Sequence, residues 1–160
     1  MGTGKSTIAY HLGKRMKRPV LDTDALVVEK AGLPITEIFF LHGEVAFRDI
    51  ESEVLAELSA TKNSVVATGG GIVVREGNLQ LIRTLGFVVW LTAPEDEILQ
   101  RVTRTKHRPL VREPNAAQVV HDLLTSRLPL YERAAHFTVD TSLDRPTRIA
   151  TKILRAFKQR

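Results

Sequence analysis

Short apolar, β-branched runs alternate along the chain with longer stretches whose apolar residues recur every three or four positions. Pro19-Val20-Leu21, Ser64-Val65-Val66-Ala67, Phe87-Val88-Val89-Trp90-Leu91 and Phe137-Thr138-Val139 read as strands. Their unbroken apolar character predicts burial on both faces. Helices are predicted over residues 6–16, 34–41, 44–59, 94–104, 116–135 and 146–157. Pro94 followed by Glu95, Asp96 and Glu97 is a strong start signal, because proline suits the first turn and acids suit its dipole. Strand and helix alternate throughout, which predicts an α/β fold: a parallel sheet with helices on both faces. Neither a repeat nor a linker interrupts the pattern, so residues 1–160 read as one domain.

Composition narrows the possibilities. A chain of 160 residues, 43% hydrophobic, is long enough to bury one continuous core without staples. The absence of cysteine excludes a disulfide scaffold and any Cys-ligated zinc or iron–sulfur site. Runs such as Val88-Val89-Trp90-Leu91 fall far short of the roughly 18 apolar residues of a bilayer span. A soluble, cytoplasmic protein without a membrane partner is therefore expected. The 23 Lys+Arg against 18 Asp+Glu leave a net charge of +5, concentrated near the start (Lys5, Lys14, Arg15, Lys17, Arg18) and over Arg101, Arg104, Lys106, Arg108 and Arg112. Aromatic residues are only 6% and do not interleave with either cluster, so no base-stacking platform and no nucleic-acid partner are expected. Phosphate on a small molecule fits the charge better. His11, His42, His107, His121 and His136 show no metal spacing and read as surface or strand-edge residues.

Gly2-Thr3-Gly4-Lys5-Ser6-Thr7 opens the first helix and fits the last part of the phosphate-loop pattern G-x-x-x-x-G-K-[ST]. Glycines let backbone N–H groups converge on phosphate oxygens, Lys5 reaches the outer phosphates of a nucleotide, and the Ser6 hydroxyl suits Mg²⁺. A bland alternative is a glycine turn that merely caps a helix. The pattern's first glycine would fall two residues upstream of Met1, and the strand that feeds such a loop has no residues here. Met1 is accordingly expected to be an internal methionine of a chain that starts earlier.

Asp22-Thr23-Asp24 puts two carboxylates at the C-terminal end of a strand, where open α/β sheets bind ligands. One could serve Mg²⁺ while the other faces an acceptor hydroxyl; equally, the pair could be an N-cap followed by a first-turn acid. Gly43-Glu44-x-x-Phe47-Arg48-x-x-Glu51 sets Glu44, Arg48 and Glu51 on one helix face, which could be no more than a solvated ion-pair ladder. Thr68-Gly69-Gly70-Gly71 directly follows a strand, and three glycines cost chain entropy unless something must approach the backbone closely. Arg108-Pro109-Leu110 lies between two helices, where a flap could bring a guanidinium onto transferring phosphate. Arg127-x-Pro129-Leu130-Tyr131 occurs inside a helical stretch, and its proline is expected to kink or split the helix.

Taken in order and spacing from Met1 to about Thr141, these six motifs resemble the shikimate kinases, small enzymes similar to nucleoside-monophosphate kinases. The resemblance implies a three-layer α/β/α P-loop kinase with strand order 2-3-1-4-5, the first strand lacking here. It implies a substrate-binding segment near residues 24–60 and a lid near 102–115. The implied reaction moves the γ-phosphate of ATP to the 3-hydroxyl of shikimate, in chorismate and aromatic amino-acid biosynthesis, with Mg²⁺ as cofactor and a monomeric enzyme. By the same resemblance Gly2, Thr3, Gly4, Lys5, Ser6, Thr7 and Arg108 bind ATP, and Ser6 and Asp22 serve the metal. Asp24, Lys5 and Arg108 are the implied catalytic residues. Asp24, Arg48, Gly70, Gly71 and Arg127 would bind the substrate, with Glu51 orienting Arg48, Arg101 on the nucleotide side and Arg145 near adenine. A kinase of another hydroxy acid such as gluconate, or a binding module without turnover, are the rival readings.

Overall fold

The computed structural model describes residues 2–103 and 115–160. The phosphate-loop segment leads into helix α1 (Lys5–Met16), followed by strand β1 (Val20–Asp22), α2 (Thr23–Ala31) and α3 (Ile35–Glu57). A single 3₁₀ turn at Leu58–Ala60 precedes β2 (Val65–Ala67), α4 (Glu76–Leu85), β3 (Val89–Thr92) and α5 (Glu95–Thr103). Then come α6 (Ala116–Ala134), β4 (Phe137–Asp140) and α7 (Pro146–Lys158). The four strands fall where the apolar runs predict them. They pair in parallel as β1–β2 (Val20 opposite Val65) and β3–β4 (Val89 opposite Phe137), two separate two-stranded sheets.

One helical layer joins the two sheets. Ile8 and Leu12 of α1 pack with Ile149, Ala150 and Ile153 of α7, against Val65 of β2, Val89 and Leu91 of β3, and Phe137 and Val139 of β4. Each fully buried aliphatic side chain in that layer contributes about 1.5–3 kcal/mol. On the opposite side Leu55, Ile72, Val73, Leu79 and Ala134 form a second cluster, with Val88 packed against it. Val88 and Val89 thus face opposite layers, as alternation along a strand requires. A third cluster, built on Val27, Ile38, Phe47 and Val54, ties α2 to α3.

Three expectations need correcting. The strands are not buried on both faces: Val20 is 39% and Val66 37% exposed. A two-stranded ribbon leaves its side chains covered from fewer directions than a wide sheet does. Of the kink or split expected at Pro129, the split does not occur, for α6 runs through it from Ala116 to Ala134. Helix α2 realises the capping alternative for Asp22 and Asp24, and α4 arises where none was expected. The first is capped by Asp22, whose side chain accepts from the Asp24 N–H, and the second begins after Arg75 and ends at Gly86. The two helices expected over 34–41 and 44–59 meet end to end as α3, with Gly43 non-helical between them (φ 79°, ψ 176°).

Candidate active site

The site lies at the C-terminal ends of the strands, and its floor is the start of α1. Gly4 caps that helix in the left-handed region (φ 79°, ψ 28°), which a side chain would strain. The first-turn N–H groups of α1 have no partner within the helix and carry the positive end of its dipole, a natural seat for an anion. Gly2, Gly4, Lys5 and Ser6 share one cavity with Asp22, Asp24 and Thr68. The Ser6 hydroxyl donates to Oδ2 of Asp22 at 3.1 Å, while Oδ1 of Asp22 accepts from the Asp24 N–H at 3.0 Å. Asp22 is therefore both the cap of α2 and a partner of the loop. A serine hydroxyl and a carboxylate, hard oxygen donors beside Lys5, fit a magnesium ion that takes its other ligands from water and nucleotide phosphate.

A second cavity opens on the other side of the loop, lined by Thr3, Thr7, Arg101, Thr141, Ser142 and Asp144 among others. Arg101 reaches from α5 to the Thr141 hydroxyl at 3.1 Å and toward the Gly2 carbonyl at 3.4 Å, joining the loop to the segment after β4. Arg145 is exposed at the N-cap of α7, and its neighbours Asp144 and Pro146 rather than Arg145 itself line that cavity.

On the acceptor side, the ladder of Glu44, Arg48 and Glu51 is not a solvated face. Arg48 is 7% and Glu51 1% exposed, and Nη1 of Arg48 donates to Oε2 of Glu51 at 2.7 Å. Nε and Nη2 of Arg48 donate to Oε1 of the exposed Glu44 at 3.2 and 3.0 Å. Burial works to lower the Arg48 guanidinium, yet the hydrogen bonds and charges of Glu51 and Glu44 outweigh it and raise it. Burial pushes the Glu51 carboxyl above the usual glutamate range, with Arg48 drawing it partly back. Asp24 and Arg127 also act on Glu51, so the four charged groups share one field. Oε1 of Glu51 is buried without a hydrogen-bond partner among the described residues.

Two of the three glycines, Gly69 and Gly71, are explained by these side chains. A Cβ on Gly69 would lie 2.5 Å from Oδ1 of Asp24 and 3.0 Å from Oε1 of Glu51, and one on Gly71 would overlap the Arg48 guanidinium. Close approach of charged groups, not turn geometry, excludes side chains there. The Gly69 N–H donates to the fully buried Thr23 hydroxyl at 2.8 Å, locking this turn to the start of α2. From α6, Tyr131 donates to the Gly70 carbonyl at 2.6 Å, and the charge of Arg127 acts on its phenol.

The structure thus gathers Lys5, Ser6, Asp22 and Asp24 in one cavity, and sets Asp24, Gly69, Gly71, Arg48, Glu51 and Arg127 together beside it. Arg108 and most of the expected lid, residues 104–114, lie outside the described residues. Sequence reasoning overlooked Thr23, which stands between the two conspicuous carboxylates, whereas the expected pairing of Glu44 with Arg48 is present. It singled out Tyr131 only as part of a motif, without a role.

The chain as a whole is similar to known proteins. The family model described as shikimate kinase matches residues 1–158. A shikimate kinase of Pseudomonas paraeruginosa is 41% identical over 152 residues, covering 95% of this chain and 88% of the relative. One from Thermodesulfovibrio yellowstonii is 36% identical over 159 residues, covering 99% of this chain and 91% of the relative. The solved structure of shikimate kinase from Acinetobacter baumannii in complex with shikimate superposes with a TM-score of 0.94 at 40% identity, over 99% of this chain and 89% of that one. Phosphate loop, carboxylate pair, glycine turn and paired arginines stand on a fold shared over nearly the whole length: the chain belongs to the shikimate kinase family.

Proposed function

We propose that this chain transfers the γ-phosphoryl group of ATP to the 3-hydroxyl of shikimate. The observation that carries the reading is the adjacency of two differently built halves. One is an anion-binding helix start with Lys5 and Ser6; the other is a pocket where Arg48 and Arg127 face the same region as Asp24. Guanidinium groups match a carboxylate through paired N–H donors, which accounts for an acidic acceptor. Asp24, exposed beside the loop, is placed to orient the attacking hydroxyl and accept its proton. The oxygen–phosphorus bond to the acceptor forms as the bond from the γ-phosphorus to the bridging oxygen breaks, and ADP leaves.

Phosphoryl transfer of this kind has a loose transition state, so positioning and charge stabilisation do most of the work. Gly4, Lys5 and the first-turn N–H groups hold the phosphates, with Gly2, Thr3 and Thr7 around them. Ser6 and Asp22 would hold Mg²⁺, which supplies charge neutralisation between the outer phosphates when bound. Gly70 and Gly71 present backbone to the acceptor ring, and Glu51 fixes the direction of Arg48. Arg108 would add positive charge from the lid.

An assay of ADP release with shikimate, with gluconate and without acceptor tests the reading. Turnover dependent on shikimate and Mg²⁺ is expected. Equal rates with gluconate would refute the acceptor assignment, and shikimate binding without ADP release would point to a module that binds without turnover.

A further inference from the structure

Tyr131 belongs to none of the roles above, yet its hydroxyl sits where the acceptor pocket is assembled. It donates to the Gly70 carbonyl at 2.6 Å across 61 residues of sequence. The Arg127 guanidinium, one helical turn earlier on α6, acts electrostatically on the phenol. The ring is held independently: it stacks on Trp90 at 6.0 Å between centroids and packs beside Leu55, Leu79 and Ala134.

The geometry of the peptide makes the bond to Gly70 consequential. The Gly70 carbonyl and the Gly71 N–H belong to one planar trans unit and point in opposite directions. Fixing the carbonyl on Tyr131 therefore fixes the Gly71 N–H on the far side. A glycine pair needs such a tether, because it has no side chain to restrict it. We propose that Tyr131 is a positioning residue of the acceptor pocket: a single hydroxyl that orients the Gly70–Gly71 peptide. Burial raises the phenol above its ordinary value, so at neutral pH it stays an uncharged donor.

This inference rests on the reading of the pocket as a shikimate site. The test is Tyr131→Phe, which deletes the hydroxyl and keeps the ring on Trp90. Shikimate binding by calorimetry is expected to weaken about ten-fold, the size of one hydrogen bond. The KM for ATP stays essentially unchanged, while the thermal midpoint falls by about 2–4 °C, the cost of one lost hydrogen bond. Equal shikimate affinity in the two proteins would overturn the proposal and leave the acceptor assignment standing. A parallel loss of ATP affinity would also overturn it, because it would mark the hydroxyl as a general structural bond. Failure of the unmodified chain to bind shikimate would overturn both readings together.

Discussion

A single methyl group added at Gly71 should do more damage than its size suggests. Gly71 has no left-handed backbone, so Gly71→Ala strains nothing locally; the cost is contact alone. The new Cβ would stand inside van der Waals distance of Nη1, Nη2 and Cζ of Arg48. A surface arginine would simply swing away. Arg48 is 7% exposed and bonded at 2.7 Å to a glutamate that is itself 1% exposed, so retreat means breaking a buried pair. Overpacking of this kind costs about 1–3 kcal/mol, and losing the pair outright about 3–5 kcal/mol. The cheaper route is a shift of the glycine turn, so about 2 kcal/mol of stability should be lost. The matched control is Gly77→Ala, on the exposed first turn of α4, where a Cβ meets nothing within 4 Å. That change should be neutral or stabilise by up to about 1 kcal/mol. Urea unfolding measures both, and acceptor kinetics complete the comparison: Gly71→Ala should raise the KM for shikimate at least about ten-fold while the KM for ATP holds, because RT ln 10 is about 1.4 kcal/mol. If Gly71→Ala matched the unmodified protein in midpoint and in KM, the account of the glycine run as a bed for Arg48 would be wrong.

Other outcomes follow from the same geometry. Asp24→Asn keeps the shape of the side chain beside the loop but not its basicity, so kcat should fall by about two to four orders of magnitude with only a small change in shikimate KM; steady-state kinetics decide it. Ser6→Ala removes the hydroxyl that meets Asp22 and should raise the Mg²⁺ concentration needed for half-maximal rate, read from a magnesium titration at fixed ATP. Glu51 titrates above its ordinary value, because burial favours its neutral form in the folded state more than Arg48 favours the charged one. Its contribution is thus full below the unfolded value and is lost as pH rises through the folded one. Glu51→Gln should therefore gain stability relative to the unmodified chain as pH rises above the ordinary glutamate value, and thermal midpoints showing the reverse trend would contradict the assignment.

The strands and the anion loop are legible because apolar runs and a glycine–lysine–serine sequence report local physics directly. Helices α2 and α4 show the limit of such reading. In α2 the carboxylates of Asp22 and Asp24 allowed two readings, a metal and acceptor pair or a cap with a first-turn acid; Asp22 is the cap and also accepts from Ser6. In α4 the signal over Glu76–Leu85 is diluted by Gly77 and Asn78 in the first turn. The pairing of Arg48 with Glu51 could be read from helical spacing, but not its burial, because periodicity alone does not distinguish a face turned to water from one turned to another element. The bond from Tyr131 to Gly70 joins residues whose proximity is a property of the tertiary fold, with no local trace.

Helix α1 begins at the anion loop, and its buried side presses on strands of both sheets through Ile8 and Leu12. Donor chemistry and molecular cohesion are thereby invested in one rod. Lesions such as Ile8→Ala will blur nucleotide use and loosen the whole body together, and no assay will cleanly separate the two defects. Helices α2 and α3, which carry Asp24 and Arg48, are tied by a hydrophobic cluster of their own. Substitutions within that cluster leave the packing of α1 on the two sheets untouched.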